Sequence, residues 1–111
     1  MRPSPNVERV VRAIEVRGVV QGVGFRPFVW RLATELGLDG TVVNRAGQVE
    51  IEVAGTQDAV EAFAGRLLSD APPRARVEEV LVRALERQIA SGSGFAIEES
   101  EAVASTERLF P

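Results

Sequence analysis

The sequence predicts an α+β domain: a ferredoxin-like βαββαβ sandwich, with an antiparallel sheet of four or five strands covered on one face by two helices. Three observations point there. Short segments alternate apolar and charged residues with period 2, two segments of helical period are interleaved with them, and the order of these pieces is strand, helix, strand, strand, helix. At 111 residues the chain is long enough for one modest hydrophobic core and too short for two.

The opening MRPSPNVER carries two prolines and little apolar content. Residues 1–9 are therefore expected to form a flexible leader, residues 10–99 the folded domain, and residues 100–111 a tail without periodicity. In RAIEVRG, Arg12 to Gly18, Ile14 and Val16 fall on one side and Glu15 and Arg17 on the other, the pattern of a half-buried strand. A glycine-rich turn follows. Beyond it Pro27 suits the first position of a helix, Phe28, Leu32 and Leu36 recur every four residues, and Gly37 is placed to cap the end.

GTVVNRAGQVEIEVAG predicts two strands about a tight turn supplied by NRAG, with Val49, Ile51 and Val53 alternating against Glu50 and Glu52. Thr56 is placed to cap a second helix whose apolar stripe is Val60, Phe63 and Leu67, and APPR ends it. ARVEEVLVRALER fits two periods: Val77, Val80, Leu81, Ala84 and Leu85 suit a helix, whereas Val80 and Val82 suit a strand, and periodicity alone leans helical. The order of the other elements favours a strand, because a returning strand completes the pattern. GFAIEE, Gly94 to Glu99, has the length of a short final edge strand.

What the chain lacks narrows its chemistry. It contains no Cys, His, Tyr or Lys, and all 13 basic residues are Arg. Disulfides, thiolate or imidazole metal sites, a Cys or Lys nucleophile and any Ser-His-Asp arrangement are excluded. Any reaction here must rest on Arg, carboxylates, amides, hydroxyls or the backbone. A formal net charge of −3 lacks the basic footprint of general nucleic-acid binding. No apolar run approaches the roughly 20 residues of a membrane-spanning helix, and the N-terminus lacks a signal-peptide core. A cytoplasmic location, with no membrane and no nucleic-acid partner, is the expectation.

The candidate site is the turn RGVVQGVGFRPF, Arg17 to Phe28. A glycine-rich turn that opens a helix gathers unpaired backbone N–H groups, and the helix dipole adds positive potential. Gly18, Gly22 and Gly24 remove Cβ atoms that would block close approach, and Arg26 can add a bidentate guanidinium. The natural guest is a phosphate or carboxylate. The absence of Lys and of a third glycine in GVGFRP excludes two familiar nucleotide-binding motifs. Arg17 and Arg31 read as solvated charges, Phe25, Phe28 and Trp30 as core or boundary packing, and Glu50 with Glu52 as an exposed strand face.

The string VRGVVQGVGFR, Val16 to Arg26, resembles the acylphosphatase signature at every defined position. GTVVNRAGQVEIEVAG resembles that family's second motif around an asparagine, here Asn44. The flanking VQGVGFRPFVWRLA, APPRARVEEV and GFAIEES are similar to the N-terminal acylphosphatase domain of the HypF family of hydrogenase-maturation carbamoyltransferases. Stand-alone acylphosphatases usually carry an aromatic residue where Pro27 sits. Thr41, Val43 and Arg45 depart from the family's usual residues, and the turn after Asn44 is one residue shorter.

The resemblance implies a βαββαβ sandwich, with the ambiguous segment a strand, and hydrolysis of an acyl phosphate to carboxylate and phosphate. It implies that the amides of Gln21, Gly22, Val23, Gly24 and Phe25, with Arg26, hold the phosphate, that Asn44 orients the attacking water, and that a phosphate oxygen of the substrate takes its proton. Arg26 and Asn44 are thus the expected catalytic residues. Whether Arg45 shares their pocket is left open by its position beside Asn44. The implied substrate is carbamoyl phosphate. No metal or cofactor is implied for this domain: zinc and ATP belong to downstream domains, and a HypE-type maturation protein is a partner only of the full-length enzyme, on the route to the cyanide ligand of a nickel-iron hydrogenase. Two alternatives are a stand-alone acylphosphatase and a non-catalytic module that binds phosphate or carboxylate.

Overall fold

A computed structural model describes residues 8–98. The elements run β1 (Arg9–Val19), α1 (Phe25–Glu35), β2 (Asp39–Arg45), β3 (Gln48–Thr56), α2 (Gln57–Ser69), β4 (Arg76–Ala84) and β5 (Phe95–Ile97). They form one sheet in the order β4-β1-β3-β2-β5. The first four strands pair antiparallel, as the βαββαβ pattern requires. β5 joins β2 in parallel, so the sheet is mixed where a wholly antiparallel one was expected. The direction follows from the path of the chain, which leaves β4 at one edge, crosses to the other and runs back beside β2.

Strand alternation builds the core. Ile14 and Val16 of β1, Val42 of β2, and Val49, Ile51 and Val53 of β3 turn to one face and are buried under the two helices. The stripe Val60, Phe63 and Leu67 of α2 packs there as its spacing predicts. Each such side chain contributes about 1.5–3 kcal/mol on burial, which makes this layer the main driving force for folding. Thr56 caps α2, its hydroxyl accepting the Ala59 N–H at 3.2 Å.

α1 starts two residues before the predicted Pro27. Phe25 is buried and opens the helix behind Gly24, while Pro27 still lies in the first turn, whose amides need no helical acceptor. At its other end the Gly37 N–H donates to the Thr34 carbonyl at 3.1 Å and the Leu38 N–H to the Ala33 carbonyl at 2.9 Å, the closure expected of a glycine just past a helix. The hairpin turn is Ala46-Gly47, with φ of 53° and 80°. Asn44 and Arg45 therefore belong to β2, not to the turn.

The ambiguous segment is a strand with a bulge. Arg17 pairs with Glu79 but Gly18 with Val77, which leaves Glu78 as the extra residue. The bulge resets the alternation, so Val77 and Val80 both pack toward the core at a spacing of three.

Arg9, assigned to the leader, instead opens β1 opposite Thr56. Its side chain also completes a polar knot. Asp39, only 6% exposed, accepts the Gly94 N–H at 2.8 Å, the Gly92 N–H at 3.2 Å and the Arg9 guanidinium at 3.3 Å. This knot holds the crossing segment against the start of β2. The rest of the leader, residues 1–7, and the tail at 100–111 lie outside the described residues.

Candidate active site

Between β1 and α1 the chain passes through residues 20–24. Val20 and Phe25 at its two ends are buried and Val23 packs on the core between them, whereas Gln21, Gly22 and Gly24 are exposed. Apolar pegs thus fix the loop from below and leave its backbone to solvent. Gly24 has φ 80° and serves as the N-cap of α1 without any side-chain cap. A Cβ there would meet no protein atom within 4 Å, so glycine is required by the left-handed backbone. Gly18 has a different task from the one expected: a Cβ on it would collide with the Arg76 carbonyl oxygen of β4, so it serves strand pairing.

Among the described residues, no acceptor is paired with the N–H groups of Gln21 through Arg26; the first helical bond runs from Phe28 N–H to the Gly24 carbonyl at 3.2 Å. Several donors at a helix N-terminus are thereby left for a ligand. The Gln21 side-chain amide donates to the Gln48 carbonyl at 3.4 Å and ties the loop to the β2–β3 hairpin.

Register brings Asn44 to this loop. Asn44 pairs with Val49, and Val49 with Val16, three residues before the end of β1. Alternation puts Asn44 on the helix side with Val42. Arg26 reaches the same end of the sheet from α1: its Nη1 donates to the Glu98 carbonyl at 3.4 Å, and the Glu98 N–H donates to the Val42 carbonyl at 2.8 Å. The guanidinium is thus held at the edge of β2, two residues from Asn44. The Asn44 Oδ1 is buried and has no hydrogen-bond partner. A buried acceptor left unmatched costs on the order of 1–3 kcal/mol, which marks it as awaiting a donor.

Arg45 is on the opposite face and does not share this pocket. It pairs with Glu50 at 3.1 Å, beside a broad concavity on the helix-free side lined by Thr41, Val43, Glu50, Leu81 and Arg83 among others. Arg17 pairs with Glu15 and Glu79 and lies away from the loop's open side, as a solvated charge. Three contributors escaped the sequence reading: the Glu98 carbonyl, the Gln48 carbonyl, which accepts from the Gln21 side chain, and the Trp30 indole N–H, which donates to the Phe95 carbonyl at 3.0 Å. A backbone carbonyl leaves no residue-type signal.

An anion-ready loop closed by an arginine on a βαββαβ sandwich has the build of an acyl phosphate hydrolase domain. The acylphosphatase family model matches residues 12–97, and the chain belongs to that family. Within it, the carbamoyltransferase HypF2 of Cupriavidus necator is 53% identical over 97 residues, taking in 86% of this chain and 12% of that protein. Full-length HypF, in a phosphate- and nucleotide-bound crystal form, matches with a TM-score of 0.76 at 32% identity, over 85% of this chain and 12% of that one. An acylphosphatase from Coxiella burnetii matches with a TM-score of 0.74, also at 32% identity, over 81% of this chain and 93% of its own. The chain thus resembles the acylphosphatase domain of HypF carbamoyltransferases and spans 9–13% of the length of those it matches.

Proposed function

We propose that this domain hydrolyses carbamoyl phosphate as part of a carbamoyltransferase that serves nickel-iron hydrogenase maturation. The observation that carries the reading is the convergence, at one end of the sheet, of the unpaired loop amides, the Arg26 guanidinium and the unpartnered Asn44 Oδ1. The amides of Gln21 to Phe25 and Arg26 hold the phosphate, and Asn44 accepts a hydrogen bond from the attacking water and so fixes its direction. Phosphate is already a good leaving group, so positioning and charge stabilisation suffice without a strong protein base. A phosphate oxygen of the substrate takes the water's proton, in keeping with a chain that has no histidine.

The carbamoyl specificity is supported by the HypF carbamoyltransferases among the relatives. In this reading zinc and ATP belong to other domains of the parent enzyme, a HypE-type protein is met only by the full-length enzyme, and the setting is cytoplasmic. Release of inorganic phosphate from carbamoyl phosphate and from benzoyl phosphate tests it. Turnover of both, with carbamoyl phosphate preferred, is expected. Turnover of benzoyl phosphate alone would return the domain to a general acylphosphatase, and binding without turnover would make it a binding module.

A further inference from the structure

We infer that Trp30 is a positioning residue for Arg26, acting through strand β5; this rests on the assignment of Arg26 to the phosphate. Arg26 and Trp30 are four residues apart on α1 and so lie on one face of the helix, one turn from each other. Both donate to the backbone of the same short segment: the Trp30 indole N–H to the Phe95 carbonyl at 3.0 Å, and Arg26 Nη1 to the Glu98 carbonyl at 3.4 Å. These acceptors bracket β5, a strand of three residues.

β5 is anchored at its start: the Asp39 knot holds Gly92 and Gly94, and the Phe95 ring packs against Phe63 of α2 with centroids 6.5 Å apart. It pairs with β2 on one side only and forms the edge of the sheet. Its partners there are Gly40, Thr41 and Val42, with the Gly40 N–H on the Gly94 carbonyl at 3.0 Å and the Glu98 N–H on the Val42 carbonyl at 2.8 Å. Trp30 adds a hydrogen-bonded restraint from α1: its ring is 41% exposed, and its indole N–H is the polar group that ties it to β5.

The consequence for the site is geometric. Arg has five N–H donors in a fixed fork, and committing Nη1 to the Glu98 carbonyl orients the remaining donors. If β5 drifts from α1, the carbonyl moves and the fork loses its reference. Phosphate affinity then falls because more side-chain freedom must be lost on binding. The attack geometry set by Asn44 on β2 is untouched.

Trp30→Phe keeps an aromatic ring and removes the N–H. The expected result is a rise of about 3- to 10-fold, the effect of one net hydrogen bond, in both KM for carbamoyl phosphate and the calorimetric Kd for inorganic phosphate, with kcat within about twofold. Glu98→Pro removes the donor to Val42 and loosens the far end of β5. It is expected to raise the same two constants, and it decides the matter if Trp30→Phe does not fold. Unchanged KM and phosphate Kd in a folded variant overturn the proposal, as does a lowered Tm with only kcat reduced. A wild-type protein that turns over no acyl phosphate, while its phosphate affinity still weakens in Trp30→Phe, removes the hydrolytic reading and leaves this one standing.

Discussion

Asn44 and Val16 lie on one row of the sheet, each of them opposite Val49. That row sets Asn44 level with the base of the loop that precedes α1, although 28 positions of sequence separate the two residues. Strand register, more than proximity in the chain, assembles the site.

Arg26→Ala is expected to lower turnover of carbamoyl phosphate by on the order of 100- to 1000-fold, the usual cost of one lost charge-stabilising donor. Arg26→Lys keeps the charge and loses the planar fork, so it should fall between the two. Near-wild-type phosphate release from Arg26→Ala would remove this residue from the mechanism.

Asn44→Ala is expected to reduce kcat while inhibition by inorganic phosphate keeps its constant within about twofold, a ground-state interaction being untouched. The Oδ1 has no protein partner to lose and its removal relieves an unmatched buried acceptor, so the Tm should not fall. A weakened phosphate constant would instead give Asn44 a share in holding the anion.

Asp39→Ala is expected to destabilise the fold by about 1–3 kcal/mol at neutral pH, since it strands the N–H groups of Gly92 and Gly94. Burial by itself pushes this carboxyl up, but the donors from Gly94, Gly92 and Arg9 outweigh it and hold the group below its ordinary 3.8. A carboxyl depressed in the folded state stabilises above the unfolded pKa, and that contribution is lost as pH falls from about 3.8 through the lower folded value. Urea melts of wild type and variant should therefore converge below that pH; a gap of constant size would show that the charge is not its source.

Ala46→Asn is expected to stabilise the protein by about 1 kcal/mol. Ala46 holds φ 53° beside Gly47 at 80°, a two-residue turn in which Asn-Gly is strongly preferred and a left-handed alanine costs roughly 1–2 kcal/mol. A thermal melt that does not rise would mean that the hairpin relieves the strain elsewhere.

Much of this was legible in the residues. β1 and β3 alternate because one face of each is buried, and the stripes of both helices mark the same core. β4 was not legible by periodicity, because the bulge at Glu78 gives Val77 and Val80 a helix-like spacing on one strand face. The loop, Arg26 and Asn44 stood out by residue type. The face taken by Arg45 depended on the turn being Ala46-Gly47, and the direction of β5 on where the chain crosses the sheet, neither of which leaves a local pattern.

The contact between Arg26 and Glu98 spans 72 residues. A chain growing on the ribosome makes its loop and first helix early, but Arg26 gains this carbonyl only after β5 has emerged. Nascent chains short of that point carry the loop and Arg26 but not the Glu98 carbonyl that Arg26 contacts, so order of synthesis itself delays completion of this end of the sheet.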